Sequence, residues 1–153
     1  MKSVLFVCTG NTCRSPMAEG LLKAALPKGS DVHVSSAGVA AMPGQSASRE
    51  TAVILKKKGA ALDRFKSRQL DATILEQTDL VIALSSSHAD MVKRSAPEFA
   101  QQVNLLTDFI DPEEGLQGVD VPDPFGMNSD AYEEVAEVIE LAIPGILSAV
   151  EKL

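Results

Sequence analysis

The run Ser3–Val7, SVLFV, is short, apolar and β-branched, and it ends at the turn signal Thr9-Gly10-Asn11, the pattern of a buried strand. Within a few residues Pro16 takes a first-turn position, and Met17, Ala18, Leu21, Leu22 and Ala25 recur at helical spacing as far as Pro27. Strand, tight loop and helix in that order predict a βαβ unit once a second strand follows, and Val32–Ala37 supplies it.

The alternation continues. Ser48–Lys58 reads as a helix with Ala52, Val53 and Leu55 inward, stopped by Gly59, and Asp71–Gln77 as a short one. Asp79–Leu84 reads as a buried strand, the residues around His88–Arg94 as a helix ended before Pro97, and Val103–Leu106 as a fourth strand. Asp108–Asn128 is rich in Pro, Gly and Asp without periodicity and reads as one long loop, which in a compact domain is usually functional. With Ser129 as N-cap, Tyr132, Val135, Ala136, Ile139, Ile143, Ile146, Leu147 and Val150 describe an amphipathic C-terminal helix that Pro144 is placed to kink. Strands alternating with helices predict an α/β fold with a parallel sheet covered on both faces. Such sheets bind ligands beyond the carboxyl ends of the strands, where strand order reverses, and Cys8 stands at such an end. At 153 residues, with no repeat or internal linker, residues 1–153 are expected to form a single domain.

Composition narrows the function. The formal charge is −7, and the only basic cluster, Lys56-Lys57-Lys58, reads as a solvated helix face. Nucleic acid and anionic membranes both require clustered Lys and Arg, so neither is an expected partner. No apolar run approaches the roughly 20 residues of a membrane span, and no signal-peptide core precedes the polar residues, so the expected location is the cytoplasm. The two cysteines, Cys8 and Cys13, are separated by four residues. A reducing compartment would keep such a pair open, which points to chemistry rather than to a framework.

Five residues separate Cys8 from Arg14, Ser15 follows, and the loop then enters a helix. Successive backbone N–H groups in such a turn form an anion nest, to which the helix N-terminus adds partial positive charge. Gly10 and Asn11 are the residues expected to take the positive φ that so tight a loop requires. The field that holds an oxyanion also favours a thiolate, so Cys8 is the candidate nucleophile. Arg14 offers a planar fork matched to two phosphoryl oxygens. The loop is not a nucleotide P-loop, which ends in Gly-Lys; this loop has no lysine.

The stretch CTGNTCRSPMAEG resembles the low-molecular-weight protein phosphatases, whose nucleophile loop reads Cys, five residues, Arg and then Ser or Thr; the later DPFG resembles their general-acid loop. The resemblance extends over essentially the whole chain, with SSAG after the second strand and an Asp-Pro-aromatic before the last helix. It implies a doubly wound, four-stranded parallel sheet with helices on both faces, and a two-step mechanism without metal or other cofactor. Carried onto this sequence, Cys8 attacks phosphorus to give a phosphocysteine, while the amides of Thr9, Gly10, Asn11, Thr12, Cys13 and Ser15 and the Arg14 guanidinium hold the phosphoryl oxygens. Ser15 donates to the Cys8 sulfur, Asn11 braces the loop with Ser36 as its polar support, and Cys13 is implied as a resolving thiol that closes a reversible disulfide with oxidised Cys8.

A poor leaving group needs a proton, and a carboxyl protonated beside a bound anion can supply it. Two Asp-Pro pairs compete. Asp111-Pro112 runs into Glu113-Glu114, which would repel a phosphorylated ligand; Asp123-Pro124 is followed by Phe125 as a pocket wall and Gly126 as a hinge, so Asp123 is the expected acid. His33 and His88 are read as structural, Tyr132 as a residue of the helix core, and Cys8, Cys13, His33 and His88 lack any usual zinc spacing.

Rival functions fit less well. An arsenate reductase on the same scaffold needs further cysteines on a later helix, and none follows Cys13. A phosphate-binding module would need neither thiol nor acid. The expected partner is a phosphorylated protein, acted on by a monomer. Thr12, just before the second loop cysteine, resembles the bacterial protein-arginine-phosphatase branch, where many tyrosine-specific members carry a larger aliphatic. A hydroxyl there can bond toward a guanidinium, so phosphoarginine is the expected substrate and phosphotyrosine the alternative.

Overall fold

The computed structural model describes residues 1–153. Four strands, β1 (Lys2–Cys8), β2 (Val32–Gly38), β3 (Leu80–Ala83) and β4 (Val103–Leu105), form one parallel sheet in the order β2-β1-β3-β4. The helices are α1 (Arg14–Ala25), α2 (Arg49–Lys57), α3 (Ala72–Glu76), α4 (Ser86–Ser95) and α5 (Ser129–Glu151). The chain moves from β1 outward to β2, then returns past β1 to β3, so the strand order reverses beside β1. Cys8 is the last residue of that strand.

Strand alternation divides the core between two faces. Val4, Phe6 and Cys8 pack with Met17 and Leu22 of α1, Leu55 of α2 and Ile139 and Ile146 of α5; Leu5 and Val7 pack with Leu75 of α3 and Ala89 and Val92 of α4. Every residue from Val4 to Cys8 is buried, as a central strand covered on both sides requires. Val135, Ile139 and Ile146 are wholly inaccessible, each worth roughly 1.5–3 kcal/mol of burial, which makes α5 the principal clamp on one face.

The helices differ from the sequence reading in three places. In α2 the buried residues are Thr51, Ile54 and Leu55, whereas Ala52 and Val53 are exposed. The buried face runs through Ile54 and Leu55, and Thr51 joins it with its hydroxyl donating to the Cys13 carbonyl (3.1 Å), a bond that hydrophobic periodicity does not encode. The N-cap of α5 is Asn128 rather than Ser129: its Oδ1 accepts from the Ala131 N–H, the usual capping geometry one residue earlier. The fourth strand ends at Leu105 rather than Leu106, and 3-10 turns at Leu106–Phe109 and Pro112–Glu114, too short to show a period, enter the region expected to be one loop.

Two glycines permit close approaches. A Cβ on Gly38 would collide with the Thr9 carbonyl, so the end of β2 can lie against the loop after β1 only without a side chain. A Cβ on Gly145 would strike the Phe109 backbone; beside it Pro144 sits inside α5, which runs on to Glu151. No helix is long and apolar enough to cross a membrane.

Candidate active site

The loop from Cys8 to Ser15 is held from outside by its carbonyls. Cys8 O accepts from Val39 N–H, Thr9 O from Ala40 N–H, Thr12 O from Ser48 N–H (2.8 Å), and Cys13 O from both Met17 N–H and the Thr51 hydroxyl. None of the backbone N–H groups from Thr9 to Ser15 donates within the chain. Cys13 is the N-cap of α1 and makes no side-chain cap, so the helix terminus also keeps its amides for the loop's interior. Carbonyls out and amides free is the arrangement that binds an oxyanion.

Asn11 alone carries the positive φ (57°). Gly10 has an ordinary φ, and a Cβ there would meet only Thr12 Oγ1 at 3.8 Å. The strained residue is the one whose side chain fixes the loop. Asn11, wholly buried, accepts at Oδ1 from the Arg68 N–H (2.8 Å) and donates from Nδ2 to Ser15 Oγ (2.8 Å) and Ser36 Oγ (2.9 Å). Ser36 in turn donates to the buried Glu19 carboxylate (2.6 Å), whose other oxygen meets Lys23 at 2.7 Å. A backbone N–H can only donate, so Arg68 fixes the Asn11 amide with its nitrogen toward the serines. Ser15 Oγ is therefore an acceptor toward Asn11, and it lies 2.9 Å from the Cys8 sulfur, within reach of a hydrogen bond that either atom can donate.

Arg14 is buried, with Nη1 donating to Val121 O (2.9 Å) and Nη2 3.8 Å from Asp123 Oδ2. Asp123 is exposed, and its Oδ1 accepts from Phe125 N–H in a tight turn that ends at Gly126, φ 77°. Cys8, Thr9, Gly10, Thr12, Cys13, Arg14, Asp123 and Phe125 line one cavity of about 200 Å³. Asp111 lies elsewhere, exposed, capping the Pro112–Glu114 turn. Both cysteines are free thiols; Cys13 Sγ lies 3.5 Å from the Tyr132 hydroxyl, which burial and that contact push up to about 12. No three His, Cys, Asp or Glu side chains gather as metal ligands would.

An anion nest with a thiol at its base and a carboxyl at its mouth has counterparts of known kind. The chain matches the family described as low molecular weight phosphotyrosine protein phosphatase over residues 3–153. It belongs to that family. It is 34% identical over 152 residues to a probable low molecular weight protein-tyrosine-phosphatase, AmsI, of Erwinia amylovora, covering 99% of both chains. It is 37% identical over 138 residues to the protein-arginine-phosphatase of Bacillus subtilis, covering 90% of this chain and 89% of that one. The solved YwlE arginine phosphatase of Geobacillus stearothermophilus superimposes with a TM-score of 0.88 at 34% identity, covering 99% of this chain and 94% of that one. The sheet and its helices are thus the low-molecular-weight phosphatase fold.

Sequence reasoning missed several residues that this phosphatase fold brings to the loop. Glu19 lies one helical turn beyond Ser15, a spacing that could have revealed it. His88 gave no signal: its Nε2 is 2.7 Å from Thr9 Oγ1 across 79 positions of sequence, and its Nδ1 is 2.9 Å from Ser85 Oγ. Burial, reinforced by the Arg14 charge, lowers His88 to about 4. Tyr132 is the core residue its spacing predicts, and it also touches the loop.

Proposed function

We propose that the protein is a cysteine-dependent protein phosphatase that hydrolyses phosphoarginine side chains. The observation that carries the mechanism is Cys8, with the Ser15 hydroxyl 2.9 Å from its sulfur, in a cavity shared with Arg14 and Asp123. Cys8 Sγ attacks phosphorus; the S–P bond forms as the P–N bond breaks, and the leaving nitrogen takes the Asp123 proton. Asp123 then takes a proton from water, the water oxygen attacks phosphorus, the S–P bond breaks and inorganic phosphate departs. The free amides of Thr9–Ser15 and the Arg14 fork hold charge that changes little along the way, so positioning and electrostatics supply the rate. Asn11 and Ser36 hold Ser15 in line, and Cys13 offers a thiol for a reversible disulfide with oxidised Cys8. Two free thiols suit a reducing compartment, and we assign the enzyme to the cytoplasm as a monomer acting on phosphorylated proteins.

Thr12 supports the arginine reading: it lines the cavity with Asp123, and a hydroxyl and a carboxyl together can meet guanidinium N–H groups that a phenol lacks. The tyrosine reading draws on Phe125, 75% exposed at the cavity, where it can face a phenol ring, and on tyrosine-phosphatase relatives as similar as the arginine ones. Phosphoarginine and phosphotyrosine in peptides of otherwise identical sequence separate them. Wild type is expected to favour phosphoarginine in kcat/KM, and Thr12→Ile to move that ratio toward phosphotyrosine by roughly ten- to hundred-fold, the worth of one hydrogen bond at a discriminating site. A wild-type preference for phosphotyrosine, or a ratio unmoved by Thr12→Ile, gives the function to tyrosine. Cys8→Ser should abolish turnover and keep phosphate binding; retained turnover removes the covalent mechanism.

A further inference from the structure

The segment that carries Asp123 is not fastened at Asp123, whose side chain is more than half exposed. The fastening lies three residues upstream. Asp120 Oδ1 accepts from the Ser86 N–H at 2.7 Å and Oδ2 from the Ser86 hydroxyl at 3.3 Å, on the first residue of α4. First-turn N–H groups have no partner within their own helix, and a carboxylate is favoured there by the helix dipole as well as by the hydrogen bond. Val121, buried, then donates its N–H to Leu84 O (2.9 Å) and accepts Arg14 Nη1 at its carbonyl (2.9 Å). Beyond Val121 the chain makes no further bond to the scaffold before Asp123. The same first turn of α4 holds the opposite wall: Ser85 meets His88 Nδ1, and His88 Nε2 meets Thr9 of the phosphate loop. One helical turn therefore fixes the nucleophile loop and the acid-bearing segment relative to each other.

We propose that Asp120 is a positioning residue for proton transfer: its grip on Ser86 sets where Asp123 stands over Cys8. The proposal rests on the reading of Asp123 as general acid. Asp120 does not line the cavity; it acts through the two residues between it and Asp123. General acids work within hydrogen-bond reach of the atom they protonate, about 2.6–3.2 Å, and small misplacements cost large factors in rate. Without the carboxylate, the segment loses its tie to α4; the bonds of Val121, the Thr107 hydroxyl on Val119 O (2.6 Å) and the 3.8 Å approach of Arg14 to Asp123 remain, and the stretch past Pro122 is free to shift.

The test compares Asp120→Ala, Asp120→Asn, Asp123→Asn and the double variant Asp120→Ala/Asp123→Asn on para-nitrophenyl phosphate, which needs no acid, and phenyl phosphate, which does. Asp120→Ala is expected to lower kcat on phenyl phosphate roughly ten-fold and to spare para-nitrophenyl phosphate. The loss should vanish in the Asp123→Asn background, where no proton remains to be placed. Asp120→Asn, which keeps an oxygen for the Ser86 N–H, should recover most of it. Equal loss on both substrates, or a loss that persists without Asp123, overturns the proposal and makes Asp120 a general brace. If Asp123→Asn alone shows no dependence on leaving group, the acid reading fails, and the role of Asp120 fails with it. Should Asp120→Ala not fold, Asp120→Glu retains the charge on a longer arm and must show the same leaving-group-selective loss.

Discussion

One hydrogen atom matters at the residue scale. The Ser15 hydroxyl accepts from Asn11, whose amide the Arg68 N–H orients, and lies 2.9 Å from Cys8; against a thiolate, which can only accept, its hydrogen turns to the sulfur. A donor to sulfur stabilises the thiolate as it leaves phosphorus, and its effect is largest in the second step. Ser15→Ala should therefore form the phosphoenzyme at near wild-type rate and hydrolyse it slowly. Rapid-quench kinetics with para-nitrophenyl phosphate would show a burst of one product per enzyme followed by a slow steady state; uniform slowing without a burst would contradict this. Asn11 shows what the sequence could suggest at this scale. Gly10 and Asn11 are both expected at positive φ, yet only Asn11 takes it, held there by the three hydrogen bonds of its amide, while Gly10 keeps an ordinary φ.

At the element scale, α4 buries His88 between its own N-cap, Ser85, and Thr9. Burial and then the Arg14 charge oppose a proton on the imidazole; Asp120 and Asp123 favour one but do not outweigh them, so the folded protein accepts the proton only near pH 4. The unfolded chain accepts it near 6.5. Between those values the unfolded state binds more protons, so stability is lost as pH falls from about 6.5 to about 4, by on the order of 3 kcal/mol at 1.36 kcal/mol per unit. Carboxylates titrate in the same window, so the measure is a difference: denaturant melts at pH 7 and pH 4.5 should converge more closely in His88→Gln than in wild type. An equal loss in both would place the acid sensitivity elsewhere.

Across the whole molecule, a chain of net charge −7 concentrates free amides and one buried guanidinium at the end of a single strand. Because the nest is formed by folding, an anion that binds it stabilises the fold. Inorganic phosphate at about a hundred times its Kd adds about 2.7 kcal/mol, and for a domain of this size each kcal/mol raises Tm by about 2–4 °C. Calorimetry should show a rise of about 5–10 °C for wild type, and little for Arg14→Ala, which removes the fork. Equal shifts in both proteins would mean that phosphate binds away from the loop.

The sequence determined by itself what is local and periodic. Strand lengths, helix spacing and turn residues act over a few positions, so the βαβ order, the parallel sheet and the loop from Cys8 to Ser15 were all legible. Phe125-Gly126 beside Asp123 and Glu113-Glu114 beside Asp111 favour Asp123 as the acid, and the folded chain brings Asp123, not Asp111, to the Cys8 cavity. Tertiary structure alone decided the contacts between distant polar groups. The Thr51 bond from α2 to Cys13, the hold of the Arg68 N–H on Asn11 and the tie from Asp120 to Ser86 all join positions far apart in the chain. Hydrophobic burial is written as a pattern because many residues share it, whereas a hydrogen bond depends on one donor and one acceptor whose meeting only the folded chain arranges.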